Sequence, residues 1–136
     1  MSGFRARLRA IFNRIPGVQR RAVNHARRDM DDLGRRIVAN ARRRVSVRSG
    51  ALRDSIGYRI IDGGDQLRLR IFASAPHARW VHDGTRAHEI RPRQARALRF
   101  RTGGRVVFAQ RVWHPGTRGT KFLAKAVEEE KARMRR

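Results

Sequence analysis

The chain has 136 residues, enough for one compact domain with a modest core by the usual guide of roughly 100–200 residues per domain. It carries 34 basic and 11 acidic residues, a formal net charge of +23, and only Lys121, Lys125 and Lys131 among the basic ones are lysines. The lack of cysteine excludes a disulfide framework, a thiolate nucleophile and a Cys-ligated zinc site, and no apolar run approaches the roughly 18–20 residues of a membrane span.

Charged residues make up 33% of the chain against a norm of about 25%, so a small core sits under a large charged surface, and partner subunits are expected to complete its burial. The excess charge opposes an isolated compact monomer by self-repulsion and favours polyanionic partners, nucleic acid first among them. A GC-rich genome can favour arginine over lysine without functional meaning, but it does not account for the net charge. The N-terminus has basic residues without an uninterrupted apolar stretch after them, which is not a secretory signal; a protein made and used in the cytoplasm is expected.

In chain order, Phe4, Leu8, Ile11, Phe12 and Ile15 fall on one face of a short helix, with Arg5, Arg7, Arg9 and Arg14 mostly on the other, and Pro16-Gly17 punctuates the chain. Residues 1–17 are thus expected to form an N-terminal amphipathic arm, and residues 18–136 a single α+β domain. From Val18 to about Arg44, Ala22, Ala26, Met30, Leu33, Ile37, Ala41 and Val45 draw one helical stripe. Asp29, Asp31 and Asp32 are spaced to pair with Arg27, Arg28, Arg35 and Arg36. Ser49-Gly50 breaks this helix and the period changes to two. Ile56, Tyr58 and Ile60, then Leu67, Leu69 and Ile71 after the turn Asp62-Gly63-Gly64-Asp65, predict a hairpin with one buried and one basic face.

The stretch from Ala73 to Arg96 is irregular, with one helical turn expected over residues 78–82. Residues 97–100 and 106–108 flank Gly103-Gly104 and predict a second hairpin. A loop over residues 113–119 leads to a final helix with Thr120 as N-cap and Phe122, Leu123, Ala126 and Val127 on its apolar face. The expected fold class is α+β, a long N-terminal helix and a C-terminal helix packed on a small antiparallel β-sheet. Charge is uneven along the chain: residues 86–118 hold nine basic side chains against Glu89 alone.

Chemistry is sparse. His77, His82 and His88 are spaced by five and six residues, which fits zinc ligation poorly, and local hydrogen bonding is the expected role. The serines lie in no nucleophile elbow, the glycines lack phosphate-loop spacing, and the acids are scattered, so no catalytic residue, metal site or cofactor is assigned. Trp80, Phe100 and Trp113 lie near dense positive charge, where they can stack bases or pack in a core or interface.

The segment from Val45 through Ser49, Gly50 and Leu52 to Ile56, following a long helix, resembles the tail-completion or neck proteins of long-tailed phages. These are also called head–tail joining proteins and are related to the minor tail protein Z type. Ala78 with residues 80–88, including Gly84 and Thr85, is similar to the family's "alanine-x-x-valine-glutamate-x-glycine-threonine" stretch. His114-Pro115-Gly116 and the run to Leu123 resemble its closing turn into the last helix. The resemblance covers about residues 18–130 in the right order; Ser46 and Arg48 depart from the family's usual proline and aspartate. It implies a non-enzymatic virion protein, assembled in the host cytoplasm, that forms a homo-oligomeric ring at the neck. Its partners would be other neck and tail proteins and packaged double-stranded DNA passing through the channel. Arg86, Arg91, Arg93, Arg96, Arg99, Arg101 and Arg105 are then the expected contacts to DNA or neighbours. Ser49, Gly50, Leu52, Gly84, Thr85, Pro115 and Gly116 are the expected family turns. The alternative is a free basic DNA-binding protein, which predicts duplex binding with a steep salt dependence and no virion partner.

Overall fold

Period-3.6 apolar spacing over residues 22–45 produces the element on which everything else rests. The computed structural model describes residues 4–11, 18–48, 50–64 and 66–136, and in it helix α1 spans Val18–Arg44. At a rise of about 1.5 Å per residue this helix is some 40 Å long. Leu33, Ile37, Val38 and Ala41 are buried along one side, as the stripe requires. Arg35 bridges Asp31 and Asp32 on the outer side, Asp29 meets His25, and Arg27 instead reaches Asp62 on the hairpin.

α1 lies across a three-stranded antiparallel sheet whose order is Phe4–Ile11 (β1), Gln66–Ala73 (β3), Ile56–Asp62 (β2). The expected hairpin is present as β2 (Ile56–Asp62) and β3 (Gln66–Ala73), joined to α1 by the short helix α2 (Ala51–Asp54). Burial alternates perfectly along β3: Leu67, Leu69, Ile71 and Ala73 face the helix, while Gln66, Arg68, Arg70 and Phe72 face away. Gly34 lets the helix approach. A Cβ there would lie 2.5 Å from the Tyr58 ring, whose hydroxyl donates to Asp31 at 2.6 Å.

The third strand corrects the sequence reading. Residues 4–11 form β1 (Phe4–Ile11), not a helix, and pair antiparallel with β3 from Phe4↔Ala73 to Ile11↔Gln66. The reason is visible in the sequence once a sheet edge is available, since Phe4, Ala6, Leu8 and Ala10 alternate strictly with Arg5, Arg7 and Arg9. Spacing of four satisfies a helix and a strand equally, and the open edge of β3 decides for the strand. Phe12, Arg14, Ile15, Pro16 and Gly17 lie outside the described residues.

Helix α4 (Phe122–Met134) runs along α1 and buries Phe122, Leu123, Ala126 and Val127. Burying a large apolar side chain of this kind contributes roughly 1.5–3 kcal/mol. Between α1 and α4, Asn40 donates to the buried Glu130 at 3.0 Å, with Arg36 and Arg133 at the rim. The architecture is α+β, two helices on a small antiparallel sheet, as expected.

Candidate functional site

The helical turn expected near Trp80 is α3 (Ala78–Asp83). Three pairs of strands follow, β4 (Gly84–Thr85) with β9 (Thr117–Arg118), β5 (His88–Ile90) with β8 (Val112–His114), and β6 (Leu98–Thr102) with β7 (Arg105–Ala109). All are antiparallel and nested, so residues 84–118 run out and back through three successive two-stranded sheets, together an interrupted ribbon. Residues 113–119, read as a loop, are therefore largely the ribbon's returning strand. Short strands of two or three residues carry too little alternation to announce themselves; they exist because their partners lie opposite. Gly103 and Gly104, both at positive φ, turn the chain at the tip as anticipated.

The base of the ribbon is a reciprocal lock. Gly84 has φ 81°, and a Cβ on it would stand 2.3 Å from the Thr117 carbonyl oxygen; Gly116 has φ 87° and the same 2.3 Å relation to the Thr85 carbonyl oxygen. The Thr85 and Thr117 hydroxyls lie 3.0 Å apart, and the Thr117 amide donates to Thr85 Oγ1. Pro115 is exposed at the turn. Behind this lock the buried His82 joins α3 to α4. Its Nε2 accepts from the Ala124 amide at 3.4 Å, so Nδ1 carries the proton and donates to Asp83 at 2.9 Å. The expected N-cap at Thr120 is corrected: Lys121 occupies the cap position, Thr120 Oγ1 donates to the Val81 carbonyl, and the imidazole of His82 accepts from an amide of the first turn of α4. Lys121 also donates to Asp83 at 2.8 Å, and this bond first, then that from His82, holds the Asp83 carboxyl below its ordinary range.

The ribbon carries the expected arginines. Arg86, Arg91, Arg93, Arg96, Arg99, Arg101 and Arg105 are all exposed. Arg99 and Arg101 share one face with Val106 and Phe108, which stand across from them, whereas Arg105 lies opposite Thr102 on the other face. Arg91 is paired with Glu89, and Arg93 and Arg96 sit in the 91–97 stretch opposite Gln110 and Arg111. Arg111 and Arg118 are exposed on the same ribbon and belong with this set, although the sequence reading did not single them out. Trp80 and Trp113 are 58% and 68% exposed, which removes them from the core; Phe100 is half-buried. His88 stacks on His114 across the ribbon with ring centres 5.1 Å apart. Of the remaining family turns, Gly50 is buried at φ 76° before α2 and Leu52 is buried in the core, while Ser49 lies outside the described residues.

Among known protein families, the model of the bacteriophage HK97-gp10-like family, a tail-component family, matches residues 9–84. That match covers the end of β1, then α1, α2, β2, β3 and α3, and stops where the ribbon begins. No curated protein and no solved structure gives a significant match.

Proposed function

The chain belongs to the HK97-gp10-like family of bacteriophage tail components, a structural part of the virion, and from that premise we propose that it closes a ring at the head–tail junction. In this role it is a tail-completion or head–tail joining protein with no catalytic activity, assembled in the host cytoplasm with other neck and tail proteins.

The observation that carries the proposal is the ribbon. A lone two-stranded hairpin is marginally stable in water, yet this one extends from the core with Val106, Phe108 and Trp113 exposed along it. Its apolar side chains need a surface that the described residues do not supply, and a neighbouring copy in a head-to-tail ring supplies one. Exposed arginines on the same ribbon, Arg86, Arg99, Arg101 and Arg105 among them, then face packaged DNA or acidic neighbours.

Electron microscopy of the purified chain with its neck partners tests this: closed rings are expected. Strictly monomeric behaviour with every partner overturns it. Steeply salt-dependent duplex binding in the absence of any assembly would instead establish the free DNA-binding protein.

A further inference from the structure

The face of the three-stranded sheet turned away from α1 carries a second, separate array of charge. On β3 it presents Arg68 and Arg70, and on β2 Arg59. The register places Arg59 and Arg7 on either side of Arg70, Arg9 beside Arg68, and Arg5 beside Phe72. The other positions of this face on β2 and β3 are Gly57, Ile61, Gln66 and Phe72, none of them acidic. Cross-strand neighbours stand about 4.5–5.5 Å apart, and like charges directly opposite one another are destabilising. Arg59 lies over the Phe72 ring at 6.0 Å, and the guanidinium of Arg68 donates from Nη2 to Gln66 at 3.3 Å while its buried Nε has no hydrogen-bond partner among the described residues. A buried donor left without an acceptor is unfavourable by itself.

Among the described residues, the chain's own acids are on the other side or engaged elsewhere. Each acidic residue whose structure is described, from Asp29 to Glu130, is within ion-pair distance of a basic group of its own chain. A second copy therefore brings little spare negative charge to this face. An acidic protein surface fits it less well than nucleic acid, because protein interfaces deplete charge at their centre. A group of arginines, Arg68 and Arg70 two residues and so roughly 6.8 Å apart along β3 with Arg59 beside them on β2, matches a repeating phosphate chain that needs no base reading.

We propose that the outer face of this sheet is a docking surface for the phosphate backbone of double-stranded DNA, distinct from the ribbon and operating whether or not a ring forms. The test is binding of the full chain to a nonspecific duplex across a range of salt concentrations, using the variant Arg59→Thr/Arg68→Thr/Arg70→Thr. Threonine keeps strand propensity, and circular dichroism reports folding. The control, Arg20→Gln/Arg21→Gln/Arg28→Gln, removes the same charge from exposed positions of α1. The sheet variant is expected to weaken binding roughly tenfold or more and to lower the slope of log affinity against log salt by about two to three. A folded sheet variant that binds like the control overturns the proposal. So does one that keeps its DNA affinity but loses a neck partner, which would assign the face to an acidic protein. Should the variant not fold, phenylglyoxal labelling of the unaltered chain decides: protection of Arg59, Arg68 and Arg70 by the duplex supports the surface, and equal labelling with and without DNA overturns it.

Discussion

His82 is the residue at which α3 meets α4. It is buried, edge-on to Phe122 with ring centres 5.3 Å apart, and its two nitrogens serve opposite ends of the site. Replacing it with alanine leaves the Ala124 amide without its acceptor and opens a cavity against Phe122. We expect His82→Ala to destabilise the fold by about 2–4 kcal/mol in urea titration. Asp83 beside it gives a pH dependence of known sign. Its carboxyl is held low by Lys121 and then His82, so its stabilising contribution is present above the ordinary carboxylate range and is lost as pH falls through the depressed value. Melting temperatures followed from about pH 6 to pH 3 should therefore fall less for Asp83→Asn than for the parent; equal slopes would remove Asp83 from the acid limb.

At the scale of elements, α1 is shaped by what it packs on. Glycine inside a helix is destabilising by about 1 kcal/mol relative to alanine, so Gly34→Ala would stabilise a free helix. Here the new Cβ meets Tyr58 ring atoms at 2.5 and 2.8 Å, and the ring is held by its bond to Asp31. We expect Gly34→Ala to destabilise the protein by about 1–3 kcal/mol, a reversal of the intrinsic preference that a denaturation curve will read directly. The ribbon is the opposite case, an element joined to the core chiefly at its base. Brief trypsin treatment should cut first within residues 91–111, at the exposed arginines there, with the sheet and both long helices kept as a folded remainder. Early cleavage in α1 would show the ribbon to be the better protected part.

The whole molecule segregates its charge. Among the described residues, the acids sit mainly in the helical layer and at the ribbon's base, each near a cation, while the sheet's outer face and the ribbon are rich in arginine. With a net of +23, repulsion within the folded chain is screened by salt, so thermal stability of the isolated protein should rise as ionic strength increases. A fall in melting temperature over the same range would mean that its ion pairs outweigh the repulsion. A bound polyanion should stabilise in the same direction.

The amino-acid sequence by itself determined the elements with long, unambiguous periods. α1 follows from seven apolar residues at helical spacing, β2 and β3 from strict alternation about a glycine turn, and the apolar face of α4 from Phe122, Leu123, Ala126 and Val127. The arginines of residues 86–118 and the glycines at 84 and 116 were equally legible, the first as composition and the second as backbone permission. The features that depend on a partner elsewhere in the chain emerge only on folding. Residues 4–11 suit helix and strand alike until β3 offers an edge. The two-residue strands at the ribbon base have no period to read and exist through pairing. His82 becomes the acceptor for α4 because the fold carries it across 42 positions of sequence to Ala124, and no local pattern encodes a contact of that range.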